Sequence, residues 1–181
     1  MEYIIPIVIL VIICMIIGWF IVTSNNLNRL QVKIQEADSG IDVALEKRYA
    51  VLTKMVDTVK AYAKHEKETL FGVIELRKKM TIDEKNKANK QMDEDFQRLN
   101  VLAESYPELL SSENYQTLQQ SIVDVEEHLQ AARRAYNSNV YIFNQEIVSF
   151  PTKIVSNIKG LQKKPFFVVD DNKKEDVKID L

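Results

Sequence analysis

Ile4 to Val22 reads IIPIVILVIICMIIGWFIV, an apolar run without a single charge. At about 1.5 Å per residue it reaches roughly 28 Å, the thickness of the hydrocarbon core of a bilayer. Pro6 falls in the first turn, where a missing N–H does no harm. Trp19 and Phe20 stand near the far end, where an indole settles at headgroup level. Cys14 lies mid-span and reads as a small apolar residue. A cleaved signal peptide needs a basic n-region and a shorter apolar stretch, so the run predicts an uncleaved anchor marked by Ile4, Pro6, Cys14, Trp19, Phe20 and Val22.

Beyond it the apolar positions step by three and four. Leu27, Leu30, Ile34, Ala37, Ile41 and Leu45 continue as Leu52, Met55, Val59, Tyr62, Val73, Leu76 and Met80, which predicts one amphipathic helix from Leu27 to Met80. The inner partner drifts one position past a strict seven-residue repeat, which suits a globular bundle better than a two-stranded coiled coil. Asp38-Ser39-Gly40 is the place where this helix has reason to bend. Thr81-Ile82-Asp83-Glu84 fits a capping box opening a second helix, with Ala88, Met92, Phe96, Leu99 and Leu102 on its stripe and Tyr106-Pro107 as its stop. Ser111 or Ser112 caps a third, whose stripe runs Tyr115, Leu118, Ile122, Val125, Leu129, Ala132, Tyr136, Phe143, Ile147, Phe150. Pro151 ends that run. A short fourth helix spans Thr152 to Lys159 with Gly160 closing it. Phe166 to Val169 reads as a docked extended stretch in a charged tail.

The pattern therefore predicts an all-α chain, an N-terminal transmembrane helix followed by an elongated antiparallel bundle of three long helices and a short fourth. Its divisions are 1–26 for the anchor, 27–161 for the bundle and 162–181 for the tail. If a tight turn joins the first two helices, the second covers only the distal part of the first. Leu27, Leu30, Ile34, Ile41 and Leu45 then lack a partner, and such a stripe marks a contact surface for other copies of the chain or for the tail.

Composition narrows the chemistry. Lys plus Arg number 24 against 26 Asp plus Glu, without the basic excess of a nucleic-acid binder. The four glycines and four prolines are too few for the turns of a sheet-rich fold, and one cysteine excludes an intrachain disulfide. No phosphate loop, nucleophile elbow or dinucleotide fingerprint occurs, so no cofactor is expected. His65-Glu66 opens like a zincin helix but lacks the second histidine, and His128 with Asp124 offers two ligands where a metal site needs more. Lys78, Lys79, Lys85, Lys87 and Lys90 are interleaved with Asp83, Glu84, Asp93, Glu94 and Asp95, the pattern of a solvated helix end. Arg29 and Lys33 follow the anchor while only Glu2 precedes it, which places the N-terminus outside and the bundle in the cytoplasm.

IDVALEKRYAVLTKMVDTVKAYAKHEKETLFGVIELR from Ile41 to Arg77 resembles the LemA family. So does ESYPELLSSENYQTLQQSIVDVEEHLQAARRAYNSNVYIFNQEIVSFP from Glu104 to Pro151, and the order of anchor, HE pair, YP turn, ARRAYN helix, FP break and GLQKKPFF agrees. The chain departs from the family's habit at Thr53-Lys54, Leu110 and Leu161. The resemblance implies a bacterial single-pass protein of the inner membrane without established enzymatic activity, some of whose relatives are tied to building internal membranes. It also implies that Arg48, His65, Glu66, Arg77, Glu104, Arg133, Tyr136, Asn137 and Asn144 form a polar network lining the bundle or a partner surface. The function expected is a non-enzymatic membrane scaffold, a homo-oligomer joined through its stalk or bundle. The alternative is a regulatory adaptor that docks a membrane protease or signalling protein through the polar network or the tail.

Overall fold

The computed structural model describes residues 3–62 and 80–168, and among these the fold is all-α. Five helices follow one another: α1 (Ile4–Tyr62), α2 (Ile82–Glu104), α3 (Pro107–Leu110), α4 (Glu113–Val148) and α5 (Thr152–Ile158). The anchor and the first amphipathic stretch are one helix of 59 residues, unbroken at Asp38-Ser39-Gly40. Val73, Leu76 and the rest of 63–79, expected to prolong that helix, lie outside the described residues. The chain divides into two compact units, Met1–Asp38 with Ala135–Pro165 and Ser39–Arg134 with Phe166–Leu181.

In the first unit α1 and α4 run antiparallel. Asn139 Nδ2 donates to the Lys33 carbonyl at 3.2 Å, and the Asp38 carboxylate acts on the Tyr136 hydroxyl. The interior takes Leu27, Leu30, Ile34 and Ala37 from α1, Tyr136, Val140, Phe143 and Ile147 from α4, and Val155 from α5. Lys159, the C-cap of α5, donates to Ser24 Oγ at 3.0 Å and to Asn28 Oδ1 at 2.5 Å. Ser156 Oγ donates to the Ile147 carbonyl at 2.7 Å and ties α5 to α4.

In the second unit α2 runs parallel to α1, against the expectation of an antiparallel hairpin. Lys85 pairs with Asp42 at 2.7 Å, and Arg48 pairs with Asp93 further along both helices. The start of α2 thus lies about 30 Å back along α1 from Tyr62. α4 is antiparallel to both: Ala132 lies beside Gly40, Glu126 beside Arg48, and Gln119 Nε2 donates to Asn100 Oδ1 at 2.9 Å.

These placements correct the reading of the stripe. Leu27 and Ile41 are 0% exposed, and Leu30, Ile34 and Leu45 are also buried. The stripe is the core of the chain itself and presents no free surface. Within the first unit it is α4 that returns along these turns of α1.

Three helix ends form where the sequence places them. Thr81 Oγ1 accepts from the Glu84 amide at 3.3 Å while Glu84 Oε2 accepts from the Thr81 amide at 2.7 Å, completing the capping box. Ser112 Oγ caps α4 by accepting from the Tyr115 amide. Past α5, Gly160 has φ 62°, and the amides of Gly160 and Leu161 return to the carbonyls of Asn157 and Ser156, the pairing of a left-handed helix stop. The Phe150–Pro151 peptide is cis. Gly160→Ala is expected to lower stability by about 1 kcal/mol, because a Cβ is strained at that φ. Gly40→Ala should raise it by about 1 kcal/mol, since the new methyl meets Ala132 at an ordinary 3.9 Å inside a helix. Paired thermal melts of the two variants check both signs.

Candidate functional site

Arg48 occupies an apolar-stripe position, three residues after Leu45 and four before Leu52, so the helix turns it inward. It is 4% exposed. Its Nη2 meets Asp93 Oδ1 at 2.5 Å and Glu126 Oε2 at 3.0 Å, and Nη1 donates to the side chain of Asn89 and, at 3.4 Å, to its carbonyl. The guanidinium carbon lies 5.6 Å from the centre of the Phe96 ring. One planar cation thereby joins α1, α2 and α4, using the fork geometry that only arginine offers. Its Nε has no partner among the described residues.

Lys85 forms a second polar tie within the same unit. It is 1% exposed, and its ammonium pairs with the half-exposed carboxylate of Asp42. Asp95 is equally buried, accepts from Gln91 Nε2 at 3.3 Å and lies 3.9 Å from the Arg98 guanidinium. Lys85 and Asp95 therefore do not belong to a solvated helix end, as their charge pattern suggested. The missed signal is positional: Lys85 stands three residues after Ile82 and seven before Met92, on the buried seam of α2.

The first unit carries a different polar arrangement. Asn144 Nδ2 donates to the Lys164 carbonyl at 2.8 Å while its Oδ1 accepts from the Lys164 amide at 2.8 Å, so one side-chain amide holds one residue of extended chain by both peptide groups. The Tyr136 hydroxyl donates to the Pro165 carbonyl at 3.1 Å. The docked extended stretch expected near Phe166 is real to this extent, and Phe167 is buried. Residues 169–181 lie outside the described residues.

Burial first, and the Asp38 carboxylate second, push the Tyr136 pKa from 10.0 up to about 12. A phenol with a raised folded pKa favours the neutral form in the fold. The stability it contributes is whole below about pH 10 and is lost as the pH climbs through about 12. Tyr136→Phe is expected to cost about 1 kcal/mol at neutral pH, for the bond to Pro165, and to flatten that part of the alkaline loss. Unfolding midpoints of both proteins across an alkaline pH series would show it. In the other unit, burial likewise raises the Tyr115 hydroxyl, opposed by the bond from Gln119.

Of the nine polar positions drawn from the resemblance, the six described ones are divided between the two units. Arg48 lies in the second unit; Tyr136 and Asn144 lie in the first, bonded as above. Glu104 is exposed at the end of α2, while Arg133 and Asn137 are half-buried on α4. His65, Glu66 and Arg77 fall outside the described residues. His128 is exposed, Asp124 accepts from Gln120, and no group of three or more metal-ligating side chains occurs among the described residues. The bonded groups tie helix to helix or helix to chain, an arrangement suited to holding a bundle in register.

The first turns of α1 differ from everything else. Residues 4–18 are exposed on every side although nearly all are apolar, and burial begins at Trp19 and Phe20. Among the described residues α1 alone is long and apolar enough, by length and composition, to cross a membrane.

Residues 37–181 match the model of the LemA family. Protein LemA of Metamycoplasma hominis is 32% identical over 158 residues, covering 84% of this chain and 72% of that one. Magnetosome protein MamQ of Magnetospirillum gryphiswaldense is 27% identical over 70 residues, 39% of this chain. Magnetosome protein MamQ 1 of Paramagnetospirillum magneticum is 29% identical over 70 residues. The matched stretch spans 26% of the length of each of these magnetosome proteins.

Proposed function

This chain belongs to the LemA family, and from that premise we propose that it is a non-enzymatic scaffold of the bacterial inner membrane. One observation carries the reading: the all-round exposed apolar turns and the bundle core lie on the same unbroken helix, α1. An apolar segment exposed on every face is stable where lipid is its solvent. Arg48 and Lys85, buried charges of the second unit, are engaged in ties between helices, which fits a structural part better than a reactive centre. A match to proteins named for the magnetosome supports a membrane-organising role.

The scaffold self-associates, and with Leu27 to Leu45 turned inward the contact falls to the outward faces of α1, its membrane-spanning turns above all. In-cell crosslinking of the full-length protein, followed by mass spectrometry, is the test. The expected product is the chain joined to itself. Capture of a single different membrane protein in comparable amount would replace this reading with the adaptor.

The bundle lies on the cytoplasmic side, as Arg29 and Lys33 next to the span suggest. A cysteine at exposed Val123, in a Cys14→Ser background, should stay unreactive toward an impermeant thiol reagent in intact cells and react after lysis. Labelling of the intact cells would reverse the orientation.

A further inference from the structure

Phe150 is 83% exposed, and Ile154 and Ile158 follow it at intervals of four residues, at 47% and 68%. Ile154 and Ile158 lie one turn apart on α5, away from the buried Val155 and Ser156, and Phe150 stands in the turn just ahead of that helix. Water is a poor solvent for three large apolar groups in a row, and no described element covers them.

Their height along α1 identifies the cover. Asn139 lies across from Lys33 and Tyr136 near Asp38, so α4 at equal rise comes level with about Ser24 at its last residue, Val148, just past the apolar run that ends at Val22 and two residues before Phe150. The bonds from Lys159 to Ser24 and Asn28 hold the far end of α5 within two turns of the same point. The face therefore stands where hydrocarbon gives way to headgroups. Lys153 and Lys163, both exposed, flank it with the charge that anionic lipid attracts.

We propose that Phe150, Ile154 and Ile158 form an interfacial wedge that inserts into the leaflet through which α1 emerges, with Lys153 and Lys163 on its phosphates. The inference rests on the reading that α1 crosses the bilayer and adds a second, shallow attachment beside it. A wedge in one leaflet enlarges that leaflet alone, which couples the protein to membrane curvature as other interfacial helices are coupled. It gives the membrane-organising role a physical means.

The test uses full-length protein carrying Cys14→Ser, reconstituted in vesicles of phosphatidylcholine and phosphatidylglycerol. Single spin-labelled cysteines replace Phe150, Ile158, Ile9 or Val123, and collision with oxygen is compared with collision with an aqueous nickel chelate. Labels at 150 and 158 are expected to favour oxygen several-fold over the label at 123, and to lie shallower than the label at 9. Omitting phosphatidylglycerol, or adding Lys153→Gln with Lys163→Gln, should raise the chelate collisions at 150. If the label at 9 is in lipid while those at 150 and 158 match the one at 123, the wedge is wrong and the anchor stands. If the label at 9 is itself aqueous, the anchor is wrong and the wedge falls with it.

Discussion

Asp42→Ala is expected to cost the protein about 3 kcal/mol, and Lys85→Met less than about half of that, although both remove the same ion pair. The asymmetry comes from where each charge sits. Lys85 is 1% exposed, whereas the Asp42 side chain is 49% exposed. Losing Asp42 removes a carboxylate at 2.7 Å from an ammonium that water cannot reach, and weakening the pairing of a buried ion is costly. Losing Lys85 returns Asp42 to water, while the methionine fills most of the vacated volume and keeps the seam of α2 apolar. For a chain of this size 1 kcal/mol moves the melting temperature by about 2–4 °C, so Asp42→Ala should melt roughly 6–12 °C lower. Thermal unfolding in detergent, followed by circular dichroism, measures both variants. Equal losses would show that the pair is exposed in solution and that α2 is not held parallel to α1 by it.

The same reasoning explains why the polar layer escaped a reading of the sequence that found most of the helices. Three-four spacing reports which face of a helix is buried, and it located the buried stripes of α1 and α4. It says nothing about which helix lies opposite, or in which direction that helix runs. An antiparallel pairing of the first two helices was the simplest expectation, and the Lys85–Asp42 and Arg48–Asp93 pairs show that α2 runs parallel to α1. Charged residues are almost never fully buried unless paired, so Lys85 and Asp95 were assigned to water by composition although their register placed them on the seam. Local chemistry was the more legible layer. The Thr81 capping box, the Ser112 cap, the break at Pro151 and the stop at Gly160 each depend on a few neighbouring residues, and each formed. Phe150 shows the limit of that logic. It continues the α4 stripe three residues after Ile147, but α4 ends at Val148, and the side chain leaves the core face with the helix. The described site positions inferred from family resemblance are divided between the two units, because resemblance along a chain carries no information on which unit each residue joins.

Ile41→Ala should lower stability by about 2–5 kcal/mol without changing the oligomeric state, because Ile41 is 0% exposed inside its own chain. The loss is that of the buried side chain plus the cavity left among well-packed neighbours, and the helices packed around Ile41 have little freedom to close it. Val43→Ala, two residues along α1 at 52% exposure, should change stability by less than about 0.5 kcal/mol. The comparison separates two roles for the stripe that the sequence alone leaves equal. A core residue is read by the melting temperature at every protein concentration, whereas a residue in a contact between copies is read by the mass of the particle and by a melting temperature that shifts with concentration. Melting curves of Ile41→Ala and Val43→Ala over a wide dilution range, with light scattering on the same samples, distinguish them. A concentration-independent drop for Ile41→Ala assigns the stripe to the fold and leaves association to the faces that α1 turns outward. An unchanged melting temperature with smaller particles would put the stripe back between copies of the chain.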